Sequence, residues 1–141
     1  MQWLHYGIDY GIIGLLVVMS ILAFSIGIER YLFFKRLSLE NYENRKTLEL
    51  ELTKHLHLIA IVGSNAPYIG LLGTVFGIML TFYTMGKSGF MDTSKIMISL
   101  ALALKVTAVG LLVAIPAIVV YNLLLRKVKV LVIQWEIKNG Q

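Results

Sequence analysis

A single charged side chain, Lys105, interrupts the longest apolar run of this sequence, residues 96–125. Ten residues separate it from Lys95, which places it about 15 Å along a helix and therefore near the middle of a bilayer. A lysine at that depth costs about 2.5–3.5 kcal/mol, so such residues usually face a cavity or pair with an acid. Three acids border the apolar runs, and all lie near their ends: Asp9, Glu29 and Asp92. We therefore expect a second protein to supply a carboxylate; the alternative is a neutral or merely tolerated lysine.

Small and hydroxyl residues recur at helical spacing in the uncharged segment 66–86. Lipid tails are as apolar as leucine, so transmembrane helices associate through small residues and interhelical hydrogen bonds. Three glycines remove side chains from one side of the predicted helix: Gly70, Gly73 and Gly77. Thr74 and Thr81 are seven residues apart and lie nearly on one face. We expect this helix to be surrounded by other helices.

The run 96–125 carries a second stripe of small residues, at alternating steps of three and four: Ser99, Ala103, Thr107, Gly110, Ala114, Ala117 and Tyr121. This spacing predicts a close helix–helix seam, and we assign helix packing here to Gly110, Ala114 and Pro116. Lys105 lies about 200° around the helix from Ala103 and Thr107, on the opposite side. A three-helix monomer would expose one of these faces to lipid. We therefore expect an oligomer around an interior.

Histidine and cysteine give no indication of a metal site or of catalysis. The sequence contains no cysteine, which excludes thiolate ligands and cysteine nucleophiles. His55 and His57 would lie about 200° apart on a helix and could not share a metal there, and His5 is outside the predicted spans. No nucleophile elbow, phosphate loop or zinc-protease signature occurs. We expect no enzymatic activity, metal or cofactor.

Three runs are long enough to position these residues within a bilayer. Hydrophobic residues form 57% of the 141 residues and the mean hydropathy is +0.77, too apolar for a soluble domain of this size. About twenty apolar residues cross the hydrocarbon core, and we predict spanning helices over residues 10–34, 66–86 and 95–125. A signal peptide is not expected, because no Lys or Arg precedes the first apolar core. The expected fold is an all-α integral membrane protein that forms a single membrane domain, 1–141.

The distribution of basic residues predicts the orientation. The connection 35–65 holds five Lys or Arg and the tail 126–141 holds four, whereas the N-terminus holds none and the loop 87–95 holds two. Cytoplasmic loops are enriched in Lys and Arg, so we expect the connection and the C-terminus in the cytoplasm and the N-terminus in the periplasm. The third run, about 45 Å long as a helix, must tilt or extend into the cytoplasm. The same distribution accounts for the net charge of +5 without nucleic-acid binding.

The connection 35–65 is predicted to be an amphipathic helix. Residues 48–52 alternate like a strand, but a lone strand would have two unpaired edges. A helical stripe fits the leucines better: Leu48, Leu52, Leu56 and Ile59. The sequence of residues 63–67 then predicts a break and restart, with Asn65 as N-cap and Pro67 in the first turn of the next helix.

Two motifs, in this order, resemble the signature of the ExbB/TolQ/MotA proton-channel family: GLLGTVFGIM at 70–79 and TAVGLLVAIPAIVVYN at 107–122. The resemblance covers the second and third spans, about half of the chain. It is nearest to the ExbB branch, because the connection is short for TolQ and a MotA stator would have four spans. It implies a homopentamer in the cytoplasmic (inner) membrane whose second and third helices line a pore. An ExbD-like single-span partner would place an essential aspartate in that pore, and a TonB-like protein would pass the energy to outer-membrane receptors.

The resemblance also implies roles for single residues. The two pore threonines of the family fall on Thr74 and Thr107, whose hydroxyls we expect to line a hydrated path; the alternative is a hydroxyl bonded back to its own helix. Family members commonly carry a glutamate five residues before the second threonine, where this sequence has Leu102. Lys105 lies nearly on the same face as Leu102, so we expect it to face the partner's aspartate. The implied function is a proton-driven motor subunit for TonB-dependent uptake; a TolQ-like envelope subunit and a non-conducting scaffold are the alternatives.

Overall fold

The computed structural model describes residues 2–89 and 92–140, without the side chains of residues 2, 3 and 5. These residues form four helices and one short 3-10 turn, with no strand among them: α1 (Gln2–Arg36), the turn Leu39–Asn41, α2 (Arg45–Leu52), α3 (Leu56–Ser88) and α4 (Thr93–Lys138). Three helices are long and apolar enough to cross a membrane: Tyr6–Arg36, Leu56–Ser88 and Thr93–Lys138. The predicted all-α membrane fold is confirmed, and α4 extends well beyond residue 125, where its apolar run ends.

The central pair of helices, α3 and α4, runs antiparallel and touches backbone to backbone. A Cβ atom at Gly70 would lie 3.0 Å from the carbonyl oxygen of Val106 and 3.2 Å from the Cα of Gly110. A Cβ atom at Gly110 would lie 2.7 Å from the carbonyl oxygen of Ala66. No other residue type fits at either glycine without a shift of the facing backbone, so these two positions set the distance between the helices.

Helix α1 packs across this pair through small residues as well. A Cβ atom at Gly73 would lie 3.1 Å from Cδ1 of Ile12, and one at Gly27 would lie 3.0 Å from Cγ1 of Val120. Three fully buried side chains, one from each spanning helix, form the core at this level: Leu16, Ala66 and Ala114. The result is a three-helix bundle whose interior is filled by small and aliphatic residues.

The predicted helix break at residues 63–67 is wrong, because α3 runs through it without interruption. Asn65 is not an N-cap; its Nδ2 donates a hydrogen bond to the carbonyl oxygen of Ile61, one turn earlier and 2.9 Å away. Gly63 serves packing, since a Cβ atom there would lie 2.7 Å from Cγ1 of Ile118 on α4. A sequence that looks like a helix start is therefore an interior segment where the neighbouring helix comes close.

The chain breaks earlier, between α2 and α3, so the connection is not one amphipathic helix. His55 adopts a left-handed backbone conformation there, with φ at 68°, which is unusual for a residue other than glycine. Asn44 caps α2, with its side-chain oxygen 2.9 Å from the backbone nitrogen of Lys46. The predicted apolar stripe nevertheless persists on both sides of the break, and all its members are buried: Leu48, Leu52, Leu56 and Ile59.

Two buried polar side chains attach the connection to the spanning helices. Trp135, near the end of α4, is 1% exposed and donates from Nε1 to the carbonyl oxygen of Tyr42 at 2.9 Å. Arg30, near the end of α1, is 4% exposed and donates from Nη1 to the carbonyl oxygen of Glu51 at 2.6 Å. Among the described residues, these two carbonyls have no hydrogen-bond donor within a helix, so the side chains of α1 and α4 supply the donors. A buried carbonyl without a donor would cost stability.

Two exposed ion pairs flank this attachment: Arg45–Glu136 at 3.0 Å and Lys138–Glu40 at 2.7 Å. The hydrogen bond from the Lys138 ammonium lowers the pKa of the Glu40 carboxyl from its usual value. Because that pKa is lowered, the pair favours the folded chain above the usual carboxyl pKa and is lost as the pH falls through the lowered one. Exposed pairs contribute little to stability, so the buried donors determine how the connection sits.

The contact of α3 with α4 predicts a sharp effect of one added methyl group. Gly110→Ala should lower the thermal unfolding midpoint, because the new Cβ meets backbone; overpacking of this kind costs about 1–3 kcal/mol. Gly14→Ala is the matched control, since nothing lies within 4 Å of a Cβ atom there. Both variants are heated in detergent, and size-exclusion chromatography measures the folded fraction at each temperature. The two unfolding midpoints are then compared. Equal midpoints for the two variants would contradict the contact.

Candidate intramembrane polar site

The hydroxyls of Thr74 and Thr107 meet across the interface of α3 and α4 and hydrogen-bond to each other. Thr74 Oγ1 also lies 2.9 Å from the carbonyl oxygen of Ala103 on α4, and Thr107 Oγ1 lies 3.2 Å from the carbonyl oxygen of Gly70 on α3. Thr74 is buried and Thr107 is half-buried. Each threonine therefore reaches the backbone of the opposite helix, at the level where the glycines bring the two helices together.

This arrangement permits two directions of hydrogen bonding. A hydroxyl donates one hydrogen and accepts at its lone pairs, so only one threonine donates to the other at a time. When Thr74 donates to Thr107, Thr107 donates to the Gly70 carbonyl; when Thr107 donates to Thr74, Thr74 donates to the Ala103 carbonyl. The two directions interconvert by rotation of the hydroxyls, without movement of either helix.

Some threonine hydroxyls bond back to their own helix, fully at Thr81 and in part at Thr74. Thr81 Oγ1 is buried and donates to the carbonyl oxygen of Gly77 in its own helix, at 2.9 Å. Thr74 Oγ1 also lies 3.4 Å from the carbonyl oxygen of Gly70, four residues before it. Thr81 is thus satisfied within α3, whereas Thr74 joins the two helices. The predicted pair Thr74 and Thr81 shares the buried face but not the same role.

Lys105 lies at nearly the same depth as the threonine pair but on another side of α4. It is two residues from Thr107, about 3 Å along the helix axis, and its side chain is exposed while the neighbouring Ala103 is fully buried. No ion pair involves Lys105 within residues 2–89 and 92–140. Leu102, where the resemblance led us to expect a glutamate, is half-buried. The structure therefore does not bring Lys105 and the threonines together in one chain.

Asp9 lies near the start of the first spanning helix, as the sequence indicated. The part of α1 that is long and apolar enough to cross a membrane begins at Tyr6, three residues before it. The side chain is half-buried and its Oδ1 atom is shielded from solvent. A seven-residue spacing would have indicated this, since Leu16, Ala23 and Arg30 continue the series and are all buried.

The described residues offer no alternative chemistry of the metal-binding kind. No group of three or more His, Cys, Asp or Glu side chains comes together within residues 2–89 and 92–140. His55 and His57 are exposed, and the side chain of His5 falls outside the described set.

Comparison with known proteins agrees with these features. Residues 25–137 match the MotA/TolQ/ExbB proton channel family, a stretch that includes both threonines and Lys105. The chain is 54% identical over 95% of its length to the biopolymer transport protein ExbB of Aquifex aeolicus, of which it covers 90%.

A Helicobacter pylori protein, named as an ExbB-like 2 biopolymer transport protein, is 58% identical over 92% of the chain, which covers 87% of it. ExbB of Pseudomonas putida is 42% identical over half of the chain, which corresponds to 22% of that longer protein. The resemblance of the two sequence motifs is thereby confirmed. The chain belongs to the MotA/TolQ/ExbB proton channel family, among its short ExbB-type members.

Proposed function

We propose that this chain is the ExbB-type subunit of a motor driven by the proton-motive force. With an ExbD-like single-span partner, it would energise TonB-dependent uptake across the outer membrane. The hydroxyl network between Thr74 and Thr107 is the observation that carries the proposal, because it places two groups that can donate and accept hydrogen bonds inside a bundle of spanning helices. Membership in a proton channel family and relatives named for biopolymer transport support it. The role is that of a channel or motor subunit, without enzymatic chemistry.

The network fits a pore between copies of the chain. Thr107 is half-buried, so part of this residue is accessible from outside a single bundle. In a homopentamer, five such hydroxyls would line a hydrated interior and offer a donor and acceptors to water or to a partner carboxyl. The packing residues hold the helices that carry them: Gly70, Gly73, Gly77, Gly110, Ala114 and Pro116.

Lys105 would face the aspartate of the partner. At an effective dielectric constant of about 20, charges about 4 Å apart attract by about 4 kcal/mol, enough to offset the cost of a central lysine. Protonation of the aspartate removes that attraction. The lysine would therefore respond to the partner's protonation state without carrying the proton itself.

Complementation distinguishes the uptake motor from the two alternatives, a TolQ-like envelope subunit and a non-conducting scaffold. The chain and its partner are expressed in one strain that lacks its own ExbB subunit and in another that lacks TolQ. We expect siderophore uptake to return in the first strain. Restored detergent resistance in the second, without uptake in the first, would support the TolQ-like role.

Threonine variants test the network directly. Thr74→Val and Thr107→Val keep the side-chain shape and remove the hydroxyl, so they should assemble but reduce TonB-dependent uptake by about tenfold or more. Thr81→Val is the control, because its hydroxyl bonds only within α3 and its loss should leave uptake near the wild-type rate. Full uptake by both of the first two variants, at normal expression, would refute the proton path.

Lysine variants test the contact with the partner. Lys105→Met keeps the length without the charge and should assemble but lose energised uptake by about tenfold or more, whereas Lys105→Arg should retain part of it. Lys87→Met, at the exposed end of α3, is the control and should behave like the wild type. Wild-type uptake by the Lys105→Met variant would reduce Lys105 to a tolerated lysine.

We further propose that the chain lies in the inner membrane, with its N-terminus in the periplasm and its C-terminus in the cytoplasm. The distribution of Lys and Arg supports this orientation. The native sequence has no cysteine, so single cysteines report topology cleanly. Gln2→Cys and Lys87→Cys should react with an impermeant maleimide in intact spheroplasts, and Lys46→Cys only after permeabilisation. Reaction of the cysteine at 46 in intact spheroplasts would reverse the orientation.

A further inference from the structure

An open groove of about 750 Å³ lies between α2 and the last part of α4. Its wall on α4 extends from Leu125, where the apolar run of this helix ends, to Glu136. This length of helix measures about 16 Å, so the groove has room for about three turns of another helix. The groove therefore lies beyond the apolar part of the bundle and faces water.

Apolar side chains form the base of this groove and also its edges. Val128 and Val132, both buried, line it on α4. Leu50 on α2 and Ile133 on α4 line it as well, and they are 73% and 53% exposed. Contact of these two large apolar side chains with water is unfavourable. An amphipathic helix that lays its apolar face into the groove would cover them.

Five charged side chains line the groove, and their charges do not balance. Both acids pair with one arginine: Arg45 Nε lies 3.4 Å from Glu49 and Arg45 Nη1 lies 3.0 Å from Glu136. The other two, Lys46 on α2 and Lys129 on α4, form no ion pair within residues 2–89 and 92–140. Each wall of the groove thus carries one ammonium group without a carboxylate. This positive charge favours an acidic occupant.

Two other occupants fit the groove less well. The exposed residues of α4 that do not line it include Arg126 and Lys127, so α4 of a second copy would bring positive charge to Lys46 and Lys129. Like charges that meet across an interface cost affinity. A lipid acyl chain would have to leave the hydrocarbon, because the groove begins where the apolar run of α4 ends. A segment with both apolar residues and carboxylates matches the groove in both respects.

We propose that the groove between α2 and α4 binds an acidic amphipathic helix of a partner protein, in a segment of that partner that lies outside the membrane. Apolar residues of the partner, spaced by three and four, cover Leu50 and Ile133. Carboxylates beside them pair with the ammonium groups of Lys46 and Lys129. This docking site is separate from the threonine pair within the membrane and does not depend on the proposed function.

Protection of single cysteines tests the site, because the native sequence has no cysteine. The Ile133→Cys variant in lipid nanodiscs is labelled with a maleimide, alone and with a synthetic acidic peptide. This probe has about fourteen residues, with leucine on one helical face and glutamate beside it. We expect the peptide to slow labelling at position 133 by about fivefold or more, because a bound helix covers that position. Lys127→Cys is the matched control: Lys127 is exposed on the same helix but does not line the groove, so its labelling should not change.

Charge reversal then separates recognition of the acids from unspecific apolar binding. A basic peptide, with lysine in place of every glutamate, should not protect the cysteine at 133. When Lys46→Glu and Lys129→Glu are added to the Ile133→Cys variant, the preference should reverse, so that the basic peptide protects and the acidic one does not. Equal protection by the two peptides, or protection by neither, overturns the proposal. If the variant with both glutamates does not fold, Lys46→Gln with Lys129→Gln replaces it: lost protection by the acidic peptide supports the proposal, and unchanged protection opposes it.

Labelling without any peptide identifies the other two occupants. We expect fast labelling at position 133, whatever the protein concentration and whatever the lipid. Slow labelling that becomes fast when the protein is diluted to single copies would assign the groove to a second copy of the chain. Slow labelling only in nanodiscs of phosphatidylglycerol would assign it to an anionic lipid. Either result refutes docking of an acidic helix.

Discussion

The close approach of α3 and α4 at Gly70 and Gly110 is the contact on which the rest of the structure depends. A Cβ atom at Gly110 would lie 2.7 Å from the carbonyl oxygen of Ala66, so the helices meet with no side chain between them. At that distance a threonine hydroxyl on one helix reaches a carbonyl of the other, which a leucine-sized spacer would prevent. Packing through glycine is a familiar source of association in lipid, where apolar burial contributes little. Here the same contact creates the polar site.

Polar groups inside the bundle occupy one layer. The Thr74–Thr107 pair, Lys105 and Asp9 come from all three spanning helices and lie within about one helical turn of each other along the axis. Polar and ionisable residues are costly in a membrane and tend to be functional there. In this layer the hydroxyl pair lies between α3 and α4, and the lysine is exposed on another side of α4.

The end of the bundle beyond the apolar runs follows different physics. Arg30 and Trp135 are buried there and donate to backbone carbonyls of the connection, and the apolar stripe from Leu48 to Ile59 packs beneath them. At this end, which lies outside the apolar runs, burial of apolar side chains away from water is stabilised by the hydrophobic effect. The same effect is weak between helices in lipid. The long C-terminal part of α4 therefore serves as the support on which the connection docks.

Sequence alone determined the number of spanning helices, the small-residue seam and the threonines, because bilayer thickness and helical periodicity are read directly from hydropathy and spacing. The sequence predicted a helix break at Gly63–Pro67, because Gly, Ser, Asn and Pro in a short segment are typical of the start of a helix. That prediction was wrong. Only the tertiary structure showed that Gly63 faces Ile118 across a close contact and that α3 continues.

The meeting of Thr74 with Thr107, thirty-three residues apart, required the register between α3 and α4. The glycines of each helix set that register by packing against the backbone of the other helix. The sequence pattern of one helix alone does not predict it.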